Sequence, residues 1–248
     1  MNIQFGTGVL YGNPTAGNLA ANPTPQKFGI LQEFSLEFKG DLKQLWGQKQ
    51  FSEAKARGKI TVSGKGKFAT WDPRLFNQLY FGQTETPGIT IMATDEPVTV
   101  ASSVVVANHL KFVSDWGVID AATGTQLTKV AGSPGLTSLE YSVDESTGTY
   151  TFAAGDAGNT VYISYTYTDS ARGITVALNN QFMGYAPEFK AFLFNTFRNK
   201  IFGVDLVSCS METISVPTKQ EDFWMSDLGL TASVDAAGLL GHLYADRA

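Results

Sequence analysis

Residues 28–39, FGILQEFSLEFK, read together with residues 57–69, RGKITVSGKGKFA, decide the fold. In the first stretch Phe28, Ile30, Phe34, Leu36 and Phe38 fall on one side of an extended chain. Glu33, Ser35, Glu37 and Lys39 fall on the other, and Gln32 is the polar break on the apolar side. In the second stretch Ile60, Val62 and Phe68 alternate with Lys59, Thr61, Ser63, Lys65 and Lys67. Period-two alternation over such lengths marks strands with one apolar and one wet face. At about 3.3 Å per residue each reaches roughly 40 Å, which suits a sheet that lines or covers something. Between them, Gly40-Asp41-Leu42-Lys43-Gln44-Leu45-Trp46-Gly47-Gln48 reads as a compact turn, and 40–56 as a loop. A short amphipathic helix is expected at 72–81, closed by Phe81-Gly82.

Working outward, residues 5–11 read as a short strand. Residues 12–27 hold three Pro, two Gly and three Asn, so they cannot continue a ladder and read as a loop or extended arm. Thr84–Thr94 looks like an edge strand interrupted by Pro87-Gly88. The texture then changes: over 96–168 only Lys111 and Lys129 are basic. Short strands are expected there at 97–106, 109–118, 125–130, 137–142, 149–153 and 160–168, separated by turn signals such as Ser133-Pro134-Gly135 and Gly155-Asp156-Ala157-Gly158-Asn159. Evenly spaced strands of this kind make a small sandwich or barrel. This segment reads as a domain inserted into a discontinuous one formed by 1–95 and 169–248. In the last third, Phe189–Phe194 is apolar on both faces, as for a strand buried on both sides. Residues 201–216 form another long strand, and Ser226–Asp235 alternates with Leu228, Leu230, Ala232 and Val234 inward.

Composition selects among functions. Charged residues make up 17% of the 248 and Gly numbers 25, a mix suited to a β-rich, loop-punctuated protein. Net charge −5 argues against tight sequence-independent DNA binding, which needs a basic face. One cysteine allows no internal disulfide, and the N-terminus lacks the pattern of a secretory signal. No apolar run approaches the ~18 residues of a membrane-spanning helix, so no membrane insertion is expected.

Enzyme chemistry finds little footing. His109 and His242 are the only histidines, and Cys209 has no activating base in its neighbourhood. No Cys, His or carboxylate spacing matches a zinc site. Glu212 with Asp205 could be a carboxylate pair, but among 23 acidic residues chance pairs are expected. Gly58–Gly66 only superficially resembles a phosphate loop: the second glycine is displaced, and Gly66 stands where Ser or Thr should follow Lys65. Catalytic residues, cofactors and metals are therefore all expected to be none. The basic run Lys55, Arg57, Lys59, Lys65 and Lys67 reads better as a solvated or intersubunit face than as a nucleic-acid patch, since no aromatics interleave.

The order of elements resembles the major tail tube protein of long-tailed (siphovirus-type) bacteriophages. The residues that carry the resemblance are Glu37-Phe38-Lys39-Gly40, the Leu42-x-x-Leu45-Trp46-Gly47-Gln48 turn, Ala56-Arg57-Gly58-Lys59, and the helix before Phe81-Gly82. It resumes at 174–244, with Ile174–Asn179, the strands of 189–216, Pro217-Thr218-Lys219-Gln220-Glu221-Asp222-Phe223 and Asp235-Ala236-Ala237-Gly238. About two thirds of the chain is covered. The resemblance implies a mainly β fold: a tail-tube β-sandwich or barrel with one flanking α-helix, here with an inserted small all-β domain on the tube exterior. It implies a structural virion protein whose hexameric rings stack into a hollow tube for genomic DNA. Implied partners are copies of itself, a tape measure protein inside the tube during assembly, and tail terminator and distal tail proteins. Double-stranded DNA passes through without specific binding. The expected location is the virion tail, with host cytoplasm during assembly.

On that reading Phe34, Leu36, Ile60 and Val62 are expected in intersubunit strand pairing. Leu42, Leu45 and Trp46 are expected in ring stacking, with the arm 12–27. Glu33, Glu37, Asp227 and Asp235 are expected to face the lumen. Two other readings stay open: a β-sandwich adhesin or carbohydrate-binding virion protein recognising its ligand through 96–168, and the tube protein of a contractile tail or type VI secretion system.

Overall fold

The computed structural model describes residues 3–15, 24–132 and 135–246. The chain is mainly β, with 58% strand and 6% helix. It forms two compact units, Met1–Glu85 with Val176–Ala248, and Thr86–Thr175. Of the expected arm 12–27, residues 16–23 lie outside the described residues, as do 133 and 134 of the turn at 133–135.

The first unit opens with β1 (Val9–Pro14), β2 (Gln26–Lys27), β3 (Leu31–Trp46) and β4 (Ser52–Phe68). Strands β3 and β4 form one long antiparallel hairpin whose turn occupies only residues 47–51. The expected loop 40–56 is thus mostly ladder. Lys43 pairs with Ala56 and Leu45 with Ala54, because backbone pairing continues through a stretch whose side chains look like a turn. A bulge at Gln32 shifts the inward set. Leu31 faces Phe68 and Glu33 faces Lys67, so Leu31 and Phe34 both point to the core three residues apart. Phe28, just before the strand, is fully buried, whereas Ile30 is 62% and Phe38 57% exposed. Those two departures from strict alternation come from the bulge and from the strand outrunning the core.

After β4 comes the one α-helix among the described residues, α1 (Pro73–Phe76), continued by a π turn over Asn77–Phe81. Asp72 caps it by accepting from the Arg74 N–H at 2.9 Å, with Pro73 pre-set in the first turn. Gly82, at φ 60°, ends it in the left-handed conformation that glycine takes freely. Leu75, Phe76 and Leu79 are buried, and Gly12 of β1 leaves room for Leu79, whose Cδ1 lies 2.7 Å from where a Cβ would stand.

The second unit holds β5 (Glu85–Thr99) and β11 (Thr160–Val176), all but one terminal residue of each, and β6 (Ser103–Val105), β7 (Phe112–Asp120), β8 (Thr128–Lys129), β9 (Glu140–Asp144) and β10 (Thr149–Phe152). They make a four-stranded sheet, β6-β10-β9-β8, and a three-stranded one, β5-β11-β7. The bounds differ from the expected 96–168 because β5 and β11 run unbroken through Asp95 and Asp169. Pro87 and Gly88 sit within β5, which ends its sheet, where a missing N–H is tolerated. Inside, Tyr150 and Tyr141 each donate to the Asp115 carboxylate at 2.9 Å, and Lys129 Nζ lies 3.3 Å from it. The buried charge is therefore paired and hydrogen-bonded.

The first unit resumes with β12 (Glu188–Phe197), β13 (Lys200–Ile214), β14 (Ser226–Ser233) and β15 (Gly241–Ala245). The large sheet runs β2-β1-β12-β13-β14-β4-β3, with β15 beside β13. Phe34 and Leu36 of β3 pack into the same core as Val204 and Leu206 of β13, although β14 and β4 separate those strands in the sheet. The sheet curls over and supplies both walls of its own core. At one end its edges meet: Phe28 N–H donates to Leu10 O at 2.9 Å, and Thr7 Oγ1 to Leu31 O at 2.8 Å. β12 is not buried on both sides as expected; Phe189 and Ala191 are inside while Phe192 is 39% exposed. Its outer face is covered only in part, by Tyr244.

Candidate assembly surface

Strand β3 ends the sheet order, so over Leu31–Trp46 one edge has no strand partner among the described residues. Its neighbour β4 is paired on both sides only from Val62 to Phe68, with β3 and β14. From Phe38 and Val62 outward the hairpin has no third strand among the described residues, and this free portion extends roughly 25 Å. A two-stranded hairpin alone is marginal in water. This one also exposes Phe38, Leu42, Leu45, Trp46, Phe51 and Ile60, each more than half accessible.

The two faces differ. Phe38, Gly40, Leu42, Arg57 and Ile60 line a groove that continues the inward face beyond the core. Leu45 lies with Lys43, Ala54 and Ala56 in a second shallow depression nearer the tip. Residues 38–60 hold six basic and two acidic side chains, and Lys39, Lys55, Arg57 and Lys59 make no ion pair among the described residues. Of the four residues expected to pair between subunits, Phe34 and Leu36 are half-buried on an edge strand and Ile60 is exposed. Val62 differs: it is buried, and its backbone is used within the chain, opposite Phe38 on one side and Ala232 on the other. It is removed from the intersubunit set.

Three of the four acidic candidates come together. Glu33 and Glu37 of β3, Lys65 and Lys67 of β4, and Asp227 of β14 line one open groove on the polar face of the sheet. The two lysines of β4 thus stand between the two glutamates of β3 and the single aspartate of β14, with Lys67 opposite both Glu33 and Asp227. Asp235 is elsewhere. It lies beyond the end of β14 and closes a turn, its Oδ1 accepting the Ala237 and Leu239 N–H groups at 2.9 Å. An Asp followed by Ala-Ala-Gly is a turn signal, and that chemistry overrides the alternation.

No protein-family model matches the chain, and no curated protein matches it. The chemistry of the remaining candidates is set by their surroundings. Cys209 is fully buried in β13 and its thiol is pushed up to about 12 by burial, which suppresses the thiolate. His242 and Asp205 form a contact that fastens β15, with Nδ1 3.0 Å from Oδ1. His109 Nδ1 lies 3.1 Å from Val106 O beside a short 3₁₀ turn. Glu212 receives the Thr231 hydroxyl at 3.2 Å, while Asp205 is held by His242 and Tyr244, so the two carboxylates serve separate contacts. Sequence reading missed Phe38 and Phe51 as surface residues. Phe51 had a signal, a phenylalanine flanked by Gln50 and Ser52 in a turn region. Phe38 had none, since its alternation is that of the core.

Proposed function

We propose that the protein is a structural subunit that associates with copies of itself into stacked rings, forming a hollow tube through which DNA passes, as in the tail of a long-tailed phage. The observation that carries this is the free part of the β3–β4 hairpin. Among the described residues it is a ladder without a third strand, it exposes six large apolar side chains, and it adjoins an unpaired edge. Natural proteins blunt such edges or pair them. Pairing with identical copies by a heterologous contact either closes a ring or propagates a filament. Phe34 and Leu36 then lie on the pairing edge, while Leu42, Leu45, Trp46 and Phe51 reach the next ring. Glu33, Glu37 and Asp227 face the lumen with Lys65 and Lys67 between them, so the wall is striped in charge and close to neutral and does not hold phosphate. A tape measure protein during assembly and terminator and distal tail proteins at the ends belong to this reading, as does location in the virion.

Negative-stain microscopy of the purified protein over a range of concentrations tests it. Rings or tubes are expected. A variant in which residues 41–59 are replaced by Asn-Gly, joining the paired Gly40 and Ile60 through a type I′ turn, should stay folded and monomeric. Tubes from that variant, or monomers of the native protein at every concentration, would sink the proposal.

A further inference from the structure

The second unit presents a partly exposed aromatic face on its three-stranded sheet. Trp116 is 62% exposed, and Tyr162 and Ile119, directly opposite each other in the β11–β7 ladder, are 38% and 37% exposed. Trp116 is turned outward by a bulge. Asp115 and Val118 both face the core although three residues apart, and the extra residue is taken up at Trp116-Gly117, with Gly117 at φ 111°. Bulges re-aim side chains and gather at functional sites. On the opposite side of β11, Asp95 of β5 adopts φ 54°, a left-handed conformation uncommon inside a strand, which aspartate and asparagine tolerate best among residues with a Cβ. Its N–H donates to Ser164 Oγ at 3.2 Å, and Ser164 stands opposite the Trp116-Gly117 step. Two backbone irregularities, on the strands either side of β11, therefore flank one serine beside an exposed tryptophan. Gln126, bridged to Ile119, brings its amide Nε2 to 3.3 Å from where a Cβ on Gly117 would stand.

We propose that this face binds a polysaccharide of neutral or amino sugars, with a sugar ring stacked on Trp116. An aromatic plane bordered by polar groups suits a pyranose, which has an apolar C–H face and a rim of hydroxyls. The Asp95 carboxylate accepts from hydroxyl or ammonium donors, and the Gln126 amide and Ser164 hydroxyl both donate and accept. Charge narrows the ligand. Thr86–Thr175 carries nine acidic and three basic residues, so nucleic acid, anionic lipid and phosphate-rich polymers are repelled. This proposal stands apart from self-assembly, because it rests on the second unit alone.

The test is an array of neutral, amino and acidic glycans probed with the full chain and with the variants Trp116→Ala, Trp116→Phe and Asp95→Asn. Asparagine keeps the left-handed backbone and removes only the charge. Thermal unfolding of each variant should match the native protein. The native chain should bind at least one neutral or amino glycan. Trp116→Ala should lower that binding by about tenfold or more, Trp116→Phe by less, and Asp95→Asn should weaken amino glycans most. If Trp116→Ala fails to fold, Trp116→Phe together with Tyr162→Ala carries the comparison. No neutral or amino glycan bound, binding confined to acidic glycans, or binding indifferent to position 116 would overturn the proposal. So would protection of Trp116 from aqueous quenchers on self-association, which assigns the face to a second copy.

Discussion

Gly64 and Gly66 differ in what a side chain would meet, and that difference is measurable. A Cβ on Gly64 would stand 2.9 Å from Phe34 Cζ and 3.0 Å from Leu230, both ends of side chains that can shift. A Cβ on Gly66 would stand 2.7 Å from the Glu33 backbone oxygen, which is fixed by the ladder. Gly66→Ala should therefore cost about 1–3 kcal/mol by urea unfolding, and Gly64→Ala less; the reverse order would contradict this packing. Asp205 makes a second case. Burial raises its carboxyl, but hydrogen bonds from the His242 backbone and ring and from the Tyr244 hydroxyl outweigh it, and the carboxyl titrates below its ordinary value. A carboxyl depressed on folding adds stability above its unfolded value, near about 4, and loses it as pH falls through the folded one. Hydrogen exchange at residues 241–245 should quicken, relative to the intrinsic rate, as pH is lowered through that window. Asp205→Ala should remove the dependence and leave β15 unprotected throughout. Native protection in that variant would show that the ladder alone holds β15.

At the scale of elements, the assembly role proposed for the hairpin can be tested apart from stability. Leu42 and Trp46 are both more than half exposed, so Leu42→Ser with Trp46→Ala should change the unfolding free energy by no more than about 0.5 kcal/mol. Assembly by the same variant should fail in sedimentation, and normal tubes from it would remove the stacking role. Proline at Val62 is a different experiment. It breaks a ladder inside the subunit, between β3 and β14, and should unfold the first unit as well as abolish tubes. Much of this element was legible: two long alternating stretches, their apolar and wet faces, and the helix ending at Gly82. Its pairing length was not. Gly40 and Gly47 with Asp41 look like turn residues, and only the partner strand reveals that the ladder passes through them.

At the scale of the whole molecule, the acidity of the chain belongs to one unit. Thr86–Thr175 holds nine acidic and three basic residues, and the rest of the chain is nearly balanced, with 14 acidic and 15 basic. Net charge therefore says little about the polar sheet face, where three carboxylates share a groove with two lysines. Glu33→Lys with Glu37→Lys leaves one carboxylate against four lysines there. If that face lines a DNA channel, virions carrying both changes should assemble but eject DNA more slowly at low salt. Ejection unchanged at every ionic strength would place the face elsewhere. The two units have separate cores, one around Phe28, Phe68 and Phe189 and the other around Tyr150, Ile163 and Tyr165. Thr175 Oγ1 donates to Gly88 O at 2.7 Å, so the ends of the second unit lie close together. Removing 86–175 and joining Glu85 to Val176 through a short Gly/Ser linker should leave a first unit that unfolds cooperatively and assembles.

The amino-acid sequence by itself determined the class of fold, because period-two alternation and turn chemistry are local properties of Phe34, Leu36, Val62 and Lys65 and their neighbours. It also separated a lysine-poor insert from the rest, and it brought Glu33, Glu37 and Asp227 onto polar strand faces. Tertiary structure alone decided which of these are neighbours. The bulge at Gln32 exchanged Ile30 for Leu31 in the core. Curling of the sheet set β3 against β13, and pairing with β14 enclosed Val62 while Ile60 stayed in solvent. The turn after β14 took Asp235 off the face. Bulges, sheet order and curl depend on contacts between residues distant in the chain, and a pattern of alternating side chains carries no record of which strand will lie beside it.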